Sequence, residues 1–370
     1  MSRNRQFYPV LGVFVGPIAT GFGATLVATG AHFSSGNSGV NLISQLQRIQ
    51  SENDAWSVRR TDINQFGQLA AISREIIEQP QSSIDFSWYV ADMSNEKKMG
   101  FYVSGDASCI KNFLDKTQDE KNYFVAIAPE GQDVYAYTGQ SQVRQITNGF
   151  VASYRAEGAV GGIPTANTSI QGLNWGVSTG SIDQSLLAVD PVVGAVVAGR
   201  KYTLPVGVSG SAGSVAALRP GDITVTIGNA ALGVLISDLK IQSYSFSFDL
   251  ARQNLQKLGS RFAFSKEIQF PVTVSASIVA ALGDMQTGDL SQILCSDVAY
   301  DLDVSLRDPA CVGSGPVAAR YIAKSMKIDG EQIGANLGDL TSNITINYSA
   351  QLGGPSDTSI GFFMSGKGGY

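Results

Sequence analysis

Hydrophobic and polar residues alternate along much of the chain, and this alternation predicts β-strands. Between residues 242 and 248, the aromatic side chains of Tyr244, Phe246 and Phe248 are separated by serines. A period of two is typical of antiparallel sheets with one buried face, whereas buried parallel strands carry continuous apolar runs. The pattern therefore predicts a mainly β protein.

The alternating segments recur in the same order in the two halves of the chain. Residues 42–51 match residues 235–243 at an offset of 193 and, after a single gap, 192. At the offset of 192, residues 74–76 (REI) meet residues 266–268 (KEI). An ordered repeat of this kind indicates duplication of a whole structural unit.

Further matches follow with slowly falling offsets. Pro80 meets Pro271, and Asp106 and Asp289 each precede an apolar helical pattern that an aspartate N-cap suits. The remaining matches pair residues 123–127 with 300–304 and residues 150–173 with 321–348. Each half is thus predicted to hold about six strands and one short helix.

The repeat predicts two tandem domains, residues 1–180 and residues 221–370. Residues 181–220 separate them, with Pro191, Pro205 and Pro220 and a run of small residues. Such a composition is typical of a linker.

The first residues superficially resemble a signal peptide, because a basic start precedes an uncharged stretch. Pro17 and several glycines argue against that interpretation and against a transmembrane helix. We expect instead a strand over Val10–Val15, a turn at Gly16–Pro17 and a second strand over Thr25–Thr29.

Composition excludes several classes of function. The 370 residues are 44% hydrophobic and 15% charged, which rules out general disorder. A net charge of -5 disfavours a protein that grips nucleic acid by its phosphates. His32 is the single histidine, and it lies in a glycine- and serine-rich stretch without a nucleophile motif. We expect an ordinary loop histidine and no enzyme.

No residue is predicted to be catalytic, to bind a cofactor or to bind a metal. Cys109, Cys295 and Cys311 lack the spacing of a zinc site. Cys109 and Cys295, on the two predicted helices, are expected to face the sheet as buried inert thiols, which fits a reducing compartment such as bacterial cytoplasm. Four aspartates that lie close together are expected to form a solvated strand face rather than a calcium site: Asp297, Asp301, Asp303 and Asp308. Three asparagines open glycosylation sequons that would matter only in a secreted chain: Asn167, Asn343 and Asn347.

Several stretches, taken in order, resemble the tail tube (major tail) proteins of long-tailed bacteriophages. In the first half these are residues 60–69 (RTDINQFGQL), 95–101 (NEKKMGF), 122–124 (NYF), 129–133 (PEGQD) and 148–154 (NGFVASY). In the second half they are residues 241–250 (IQSYSFSFDL), 255–261 (LQKLGSR), 268–274 (IQFPVTV) and 353–358 (GGPSDT). They cover most of residues 50–365, and their order carries the specificity.

The resemblance implies a fold in which two small antiparallel sheets pack together against a helix, here in two tandem copies. It implies a structural virion protein, made in the host cytoplasm, whose rings stack into a hollow tail tube for genome ejection. The implied partners are further copies of the chain and other tail proteins, such as tape measure, terminator and distal tail components. DNA would pass through the lumen without specific binding, and no membrane or cofactor is implied.

Ring size follows from the repeat. Rings in the resembling family commonly carry six copies of one fold, so three chains with two copies each would complete a homotrimeric ring. With four strands from each domain, a strand spacing of about 4.8 Å and a tilt of about 45° give a backbone diameter of roughly 50 Å. We expect such a lumen to be net acidic, because each basic group held against a phosphate adds affinity for DNA.

Two other classes of protein remain alternatives. A secreted or outer-membrane β-barrel pore would use the signal-like start, but such barrels need roughly ten-residue alternating strands with aromatic girdles. A cell-wall-cleaving enzyme of the kind attached to phage tails is the other alternative.

Overall fold

The structure, a computed structural model, describes most of the chain. The described residues are 10–17, 44–128, 132, 134, 140–181, 186–189, 196–202, 220–228, 240–256, 258, 263, 265–281, 298–309, 315–334 and 343–367. Over these residues the protein is mainly β, with one large antiparallel sheet and two short helices, so the prediction of a mainly β protein is confirmed.

Ten strands and both helices lie before residue 182. The strands are β1 (Val10–Pro17), β2 (Ser44–Gln45), β3 (Ile49–Ser57), β4 (Arg60–Ile63), β5 (Ser73–Ile76), β6 (Gln81–Tyr89), β7 (Lys121–Ala128), β8 (Gln140–Ala159), β9 (Thr165–Gly172) and β10 (Asn174–Ser181). The helices are α1 (Ser94–Met99) and α2 (Lys111–Leu114).

The later strands begin with a separate hairpin. They are β11 (Leu186–Val189), β12 (Val196–Tyr202), β13 (Ile223–Gly228), β14 (Lys240–Asp249), β15 (Arg252–Leu255), β16 (Ser265–Ile268), β17 (Thr273–Ala281), β18 (Tyr300–Arg307), β19 (Val317–Gly334), β20 (Asn343–Gln351) and β21 (Gly361–Gly366). A short 3-10 turn at Pro220–Asp222 precedes β13.

The same order of strand pairing occurs twice. In the first set the order is β3-β6-β9-β8-β7-β1, with β10 added beside β8, the two-residue strand β2 added beside β1 and the hairpin β4–β5 standing apart. In the second set the order is β14-β17-β20-β19-β18-β13, with β21 beside β19 and the hairpin β15–β16 apart. All of these pairs are antiparallel.

The long strands β8 and β19 each take part in two portions of sheet. The first part of β8 pairs with β7 and β10, and its second part pairs with β9. The first part of β19 likewise pairs with β18 and β21, and its second part with β20. A bulge lies near the middle of each strand, where the ladder changes partner, and bulges of this kind bend a strand.

The core lies between the sheet portions and follows from the alternation. In β6 the buried side chains Ile84, Phe86 and Trp88 alternate with the more exposed Ser83, Asp85 and Ser87. Burying each large apolar side chain contributes about 1.5–3 kcal/mol. One cluster of buried residues extends through both sets of strands.

A backbone ladder joins the two sets. Strand β14 pairs with the second part of β8 from Ser243↔Ala159 to Asp249↔Ser153. The sheet therefore continues through eight strands, in the order β3-β6-β9-β8-β14-β17-β20-β19.

The helices differ from the prediction of one helix opening at Asp106. Helix α2 begins only at Lys111, and Ile110 rather than Asp106 holds its N-cap position, without a capping side-chain hydrogen bond. Helix α1 was not predicted, and it ends at Gly100, whose left-handed conformation and N–H bond to the Lys97 carbonyl form a C-cap. The helix predicted after Asp289 lies outside the described residues.

Two other predicted segments are described in part. The strand predicted over Val10–Val15 is confirmed as β1. The turn predicted at Gly16–Pro17 is wrong, because β1 continues through both residues, which pair with Asn122 and Lys121 of β7. The strand predicted over Thr25–Thr29 lies outside the described residues. The segment predicted as a linker, residues 181–220, contains the antiparallel hairpin of β11 and β12.

Candidate functional site

The broadest candidate surface is one face of the eight-stranded sheet, which we call the polar face. Its side chains alternate with the buried ones, so cross-strand neighbours form rows of small polar groups. One row reads Ser51, Ser87, Asn167, Arg155, Ser247, Ser275, Ser349 and Lys327 from β3 to β19. The face is thus lined by hydroxyl and amide groups.

Charges on the polar face are few and nearly balanced. Its described carboxylates are Asp85, Glu157, Asp249 and Asp329, and its described basic groups are Arg155, Lys240 and Lys327. Arg155 and Glu157 form an ion pair at 2.8 Å, and the Ser349 hydroxyl donates to Asp329 at 2.8 Å. Such a face offers few fixed cations to a polyanion.

The junction of β8 and β14 is a fully formed joint between the two sets. Phe248 pairs with Tyr154, and Phe246 pairs with Ala156. All four side chains are buried, with Phe248 2% exposed and Ala156 0% exposed.

The outer strands of the eight-stranded sheet have an open side. Among the described strands, β3 pairs only with β6, and residues 330–334 of β19 pair only with β20. Trp56 on β3 is 60% exposed, and Ile333 on β19 is 50% exposed. Open edges with apolar side chains favour pairing with another strand.

A buried charged cluster lies beneath β3. The Arg144 guanidinium on β8 donates to Glu52 at 2.7 Å and to Asp54, and the Trp175 indole N–H donates to Asp54 as well. Burial is the largest influence on Glu52 and raises its pKa from 4.5 to about 7, although Arg144 opposes the shift. Inward-pointing charges of this kind are one way in which edge strands avoid indiscriminate pairing.

The corresponding place in the second set is aromatic. Phe246, Tyr321 and Phe362 lie there, with Tyr321 and Phe362 stacked at 6.0 Å between ring centroids and Phe246 5.2 Å from Phe362. The two sets therefore share a pairing order but differ in the chemistry of this part of the core.

A second buried polar group joins the two sets. The Tyr154 hydroxyl donates to Glu96 at 3.1 Å and lies 3.1 Å from the Tyr321 hydroxyl. Burial raises the pKa of Glu96 from 4.5 to about 7 and raises the pKa of both tyrosines. This network connects α1, β8 and β19.

The hairpin β15–β16 rests on the first set. Arg252 donates to Asp119 at 2.6 Å and lies 4.8 Å from the centre of the Phe150 ring, and its own side chain is fully buried. Lys266 donates to the Gly172 carbonyl at 3.3 Å, and the Ala263 N–H donates to Gln79 at 2.6 Å.

The hairpin β4–β5 has a different environment. Its four residues on β4 are exposed, and so are Phe66 and Leu69 in its connection. Exposed apolar side chains that lie close together, as they do in this hairpin, are typical of surfaces that bind another protein.

The described aspartates that the sequence singled out each have a hydrogen-bond or ion-pair partner. Asp303 accepts hydrogen bonds from Arg320, Asp301 accepts the Ser325 N–H at 2.9 Å, and Asp308 pairs with Lys367. These aspartates are thus partnered rather than merely solvated. The described residues contain no group of three or more His, Cys, Asp or Glu side chains placed to hold a metal ion.

The predicted burial of Cys109 is confirmed, and burial raises the pKa of its thiol. Its N–H donates to the Phe362 carbonyl at 2.9 Å, which ties the segment before α2 to β21. Cys295, Cys311, His32 and Asp297 lie outside the described residues, whereas the sequon residues Asn167, Asn343 and Asn347 lie on β9 and β20.

Comparison with protein-family models and with curated proteins finds no match for this chain. No helix in the described part of the chain is long and apolar enough to span a membrane.

Proposed function

We propose that this chain is a structural virion protein of the tail tube class, which assembles into stacked rings around a channel for the genome. The observation that carries the proposal is the eight-stranded sheet with four strands from each set, a small-polar face and open strands at both ends. A sheet of this form extends by adding further copies and closes when the added copies complete a ring.

We further propose that the two sets arose by duplication, giving two tandem copies of a tail-tube-like fold. The matching pairing order of six strands in each set supports this, and so do shared irregularities. The ladders of β3 and β14 both shift at a glutamine, Gln50 or Gln242. Each glutamine amide donates to a backbone carbonyl two residues earlier, at 3.0 Å for Gln50 and 3.1 Å for Gln242.

A second shared irregularity lies in β8 and β19. Asn148 and Ser325 both have positive φ, at 50° and 56°. The backbone N–H of each donates to a side chain on the neighbouring strand, Asn122 at 3.0 Å or Asp301 at 2.9 Å. A positive φ is uncommon outside glycine, so its recurrence at matching places supports a common origin.

The hairpins agree in register as well. Arg60 pairs with Ile76 in the first, and Arg252 pairs with Ile268 in the second. Both pairs are related by the offset of 192 that the sequence repeat predicts.

Three chains with eight sheet strands each would supply 24 strands to a ring. At about 4.8 Å spacing and about 45° tilt, the backbone diameter is roughly 50 Å and the opening within the side chains roughly 40 Å. A duplex of roughly 20 Å would pass through such a channel.

The polar face is the surface we assign to this lumen. Its serine, threonine and asparagine side chains and its slight excess of carboxylates give DNA few cations to bind. The proposed partners are copies of the chain and the tail proteins at the ends and interior of the tube, and the proposed location is the virion tail.

Electron microscopy of the purified protein and of membrane and soluble fractions tests this function. We expect hollow rings or tubes in the soluble fraction. Protein confined to membranes as isolated pores would favour the alternative of a secreted or outer-membrane β-barrel.

A further inference from the structure

The pairing of β14 with β8 shows how the edge strand of one set pairs with the edge strand of another in this fold. By pairing order, β3 holds in the first set the place that β14 holds in the second, and β19 holds the place of β8. We infer that β3 of one copy pairs antiparallel with residues 330–334 of β19 in the next copy, in the register that β14 adopts on β8. The inference rests on the proposed ring and identifies the two strands that join neighbouring copies, which we call the joint.

The bulges fix the register of this joint. Ser51 follows the bulge of β3 as Ser243 follows that of β14, so Trp56 corresponds to Phe248. Gly330 follows the bulge of β19 as Ser153 follows that of β8, so Ile333 corresponds to Ala156.

Transferring the observed pairs of β14 and β8 gives the pairs between copies. Asp54 corresponds to Phe246, and Ile333 corresponds to Ala156. Because Phe246 pairs with Ala156, Asp54 should lie opposite Ile333 of the next copy. In the same way, Ala55 corresponds to Ser247 and Gln332 corresponds to Arg155. Because Ser247 pairs with Arg155, Ala55 should lie opposite Gln332 of the next copy.

Burial supports a second copy as the occupant of these edges. Phe248 is 2% exposed and Ala156 is 0% exposed within the formed junction. Their counterparts at the open edges, Trp56 and Ile333, are 60% and 50% exposed in the single chain. Pairing between copies would cover both side chains as the internal junction covers theirs.

The hairpins supply an independent observation. The hairpin after β14 crosses to the set that contains β8, where Arg252 is buried against Asp119. The hairpin after β3 leaves the apolar side chains Ile63, Phe66 and Leu69 exposed. With β3 on the next copy's β19, this hairpin would lie over the second set of that copy.

Cysteine pairing tests the register directly. Cα atoms directly opposite in antiparallel strands lie about 4.5–5.5 Å apart, within the range of a disulfide. In the double variant Ala55→Cys with Gln332→Cys, we expect mild oxidation to convert most of the protein to a covalent closed oligomer. The single variants and the wild-type chain should give no such product.

A displaced pair provides the matched control. Ala55→Cys with Glu331→Cys shifts the partner by one residue, which points the second thiol to the other face of the sheet. We expect at least fivefold less crosslinked product. Equal crosslinking of both double variants would overturn the assigned register.

Microscopy of the same samples separates the joint from the function. Rings or tubes without crosslinking at Ala55 and Gln332 would overturn the joint while the proposed function stands. Absence of rings in every sample, the wild type included, would overturn both.

A second variant tests the contact without introducing cysteines. Trp56→Asp should leave the circular dichroism spectrum of the chain unchanged, because Trp56 is exposed, and should shift sedimentation to the monomer. Val177→Asp, a change at a 51% exposed position on β10, should keep the assembly. Assembly of the Trp56→Asp variant at wild-type concentration would contradict the inference.

Discussion

The hydroxyl groups of Tyr154 and Tyr321 lie 3.1 Å apart where the two sets of strands meet. Tyr154 also donates to the buried Glu96, so a carboxyl group and two phenols share one enclosed network. Burial in these surroundings favours the protonated form of Glu96, although the hydrogen bond from Tyr154 opposes the shift.

Stability should therefore depend on pH through this network. Burial raises the pKa of Glu96 from 4.5 to about 7, so the folded protein holds a proton that the unfolded chain releases. The stabilisation is fully present below pH 4.5 and is lost as the pH rises through about 7. Burial of Glu52 acts in the same direction.

We expect Glu96→Gln to raise the free energy of unfolding at pH 8 by about 1–3 kcal/mol and to flatten its decline between pH 5 and 7. Urea unfolding at a series of pH values measures both effects. Asp85→Asn, which removes an exposed carboxylate from the polar face, should retain the wild-type slope. A Glu96→Gln slope equal to that of the wild type would contradict the assignment.

The charged cluster beneath β3 should be sensitive to loss of its cation. Arg144→Ala leaves Glu52 and Asp54 buried without their guanidinium and should cost about 3–5 kcal/mol of unfolding free energy. Arg155→Ala removes one partner of the more exposed pair with Glu157 and should cost less than about 1 kcal/mol. Equal losses, measured by urea unfolding, would show that burial of the cluster has no energetic consequence.

The two hairpin arginines form a matched pair. Arg252→Ala should cost about 3 kcal/mol, because it removes the closer and fully buried cation beside Asp119 and leaves only the half-exposed Lys116 at 3.5 Å. Arg60→Ala, at the corresponding place in the exposed hairpin, should change the stability of the single chain by less than about 0.5 kcal/mol. A large loss for Arg60→Ala in a monomeric sample would contradict the exposed position of β4.

Sparse charge on the polar face should keep DNA moving freely. Ser277→Arg combined with Ser349→Arg adds two cations to each chain and should make assembled tubes retain duplex DNA at low salt, with retention falling steeply as salt rises. The uncharged control is Ser277→Thr with Ser349→Thr. Equal retention by both variants would place these serines away from the channel.

The periodicity of the sequence was sufficient to predict a mainly β protein, because alternation reports which face of a strand is buried. It did not give the number of strands, since about six were expected in each half and ten lie before residue 182. The offset of 192 correctly related residues 74–76 to residues 266–268, which occupy matching places in two hairpins. Tyr123 was matched with Tyr300, but the ladders place Tyr123 level with Leu302, since each follows the irregularity in its strand. Matching the two strands by their similar side chains therefore misaligned them by two residues.

Other features depend on contacts between distant residues. The pairing of β8 with β14 joins segments about 90 residues apart, and alternation within a strand does not specify its neighbour. Helix α1 buries Asn95 and Glu96 through partners in other elements, so its polar sequence gave no sign of a core position. Arg144 in the first core and Tyr321 in the second hold corresponding places, and this difference is visible only when the ladders of the two sets are aligned.

The mass and symmetry of a single ring test the central claim most directly. The account predicts three chains of 39.0 kDa, about 117 kDa per ring, with pseudo-sixfold features in averaged end views of the tubes. Native mass spectrometry of dissociated rings and symmetry analysis of tube images give these quantities independently. Six chains per ring, or a chain that remains monomeric at every concentration at which it is folded, would contradict the account.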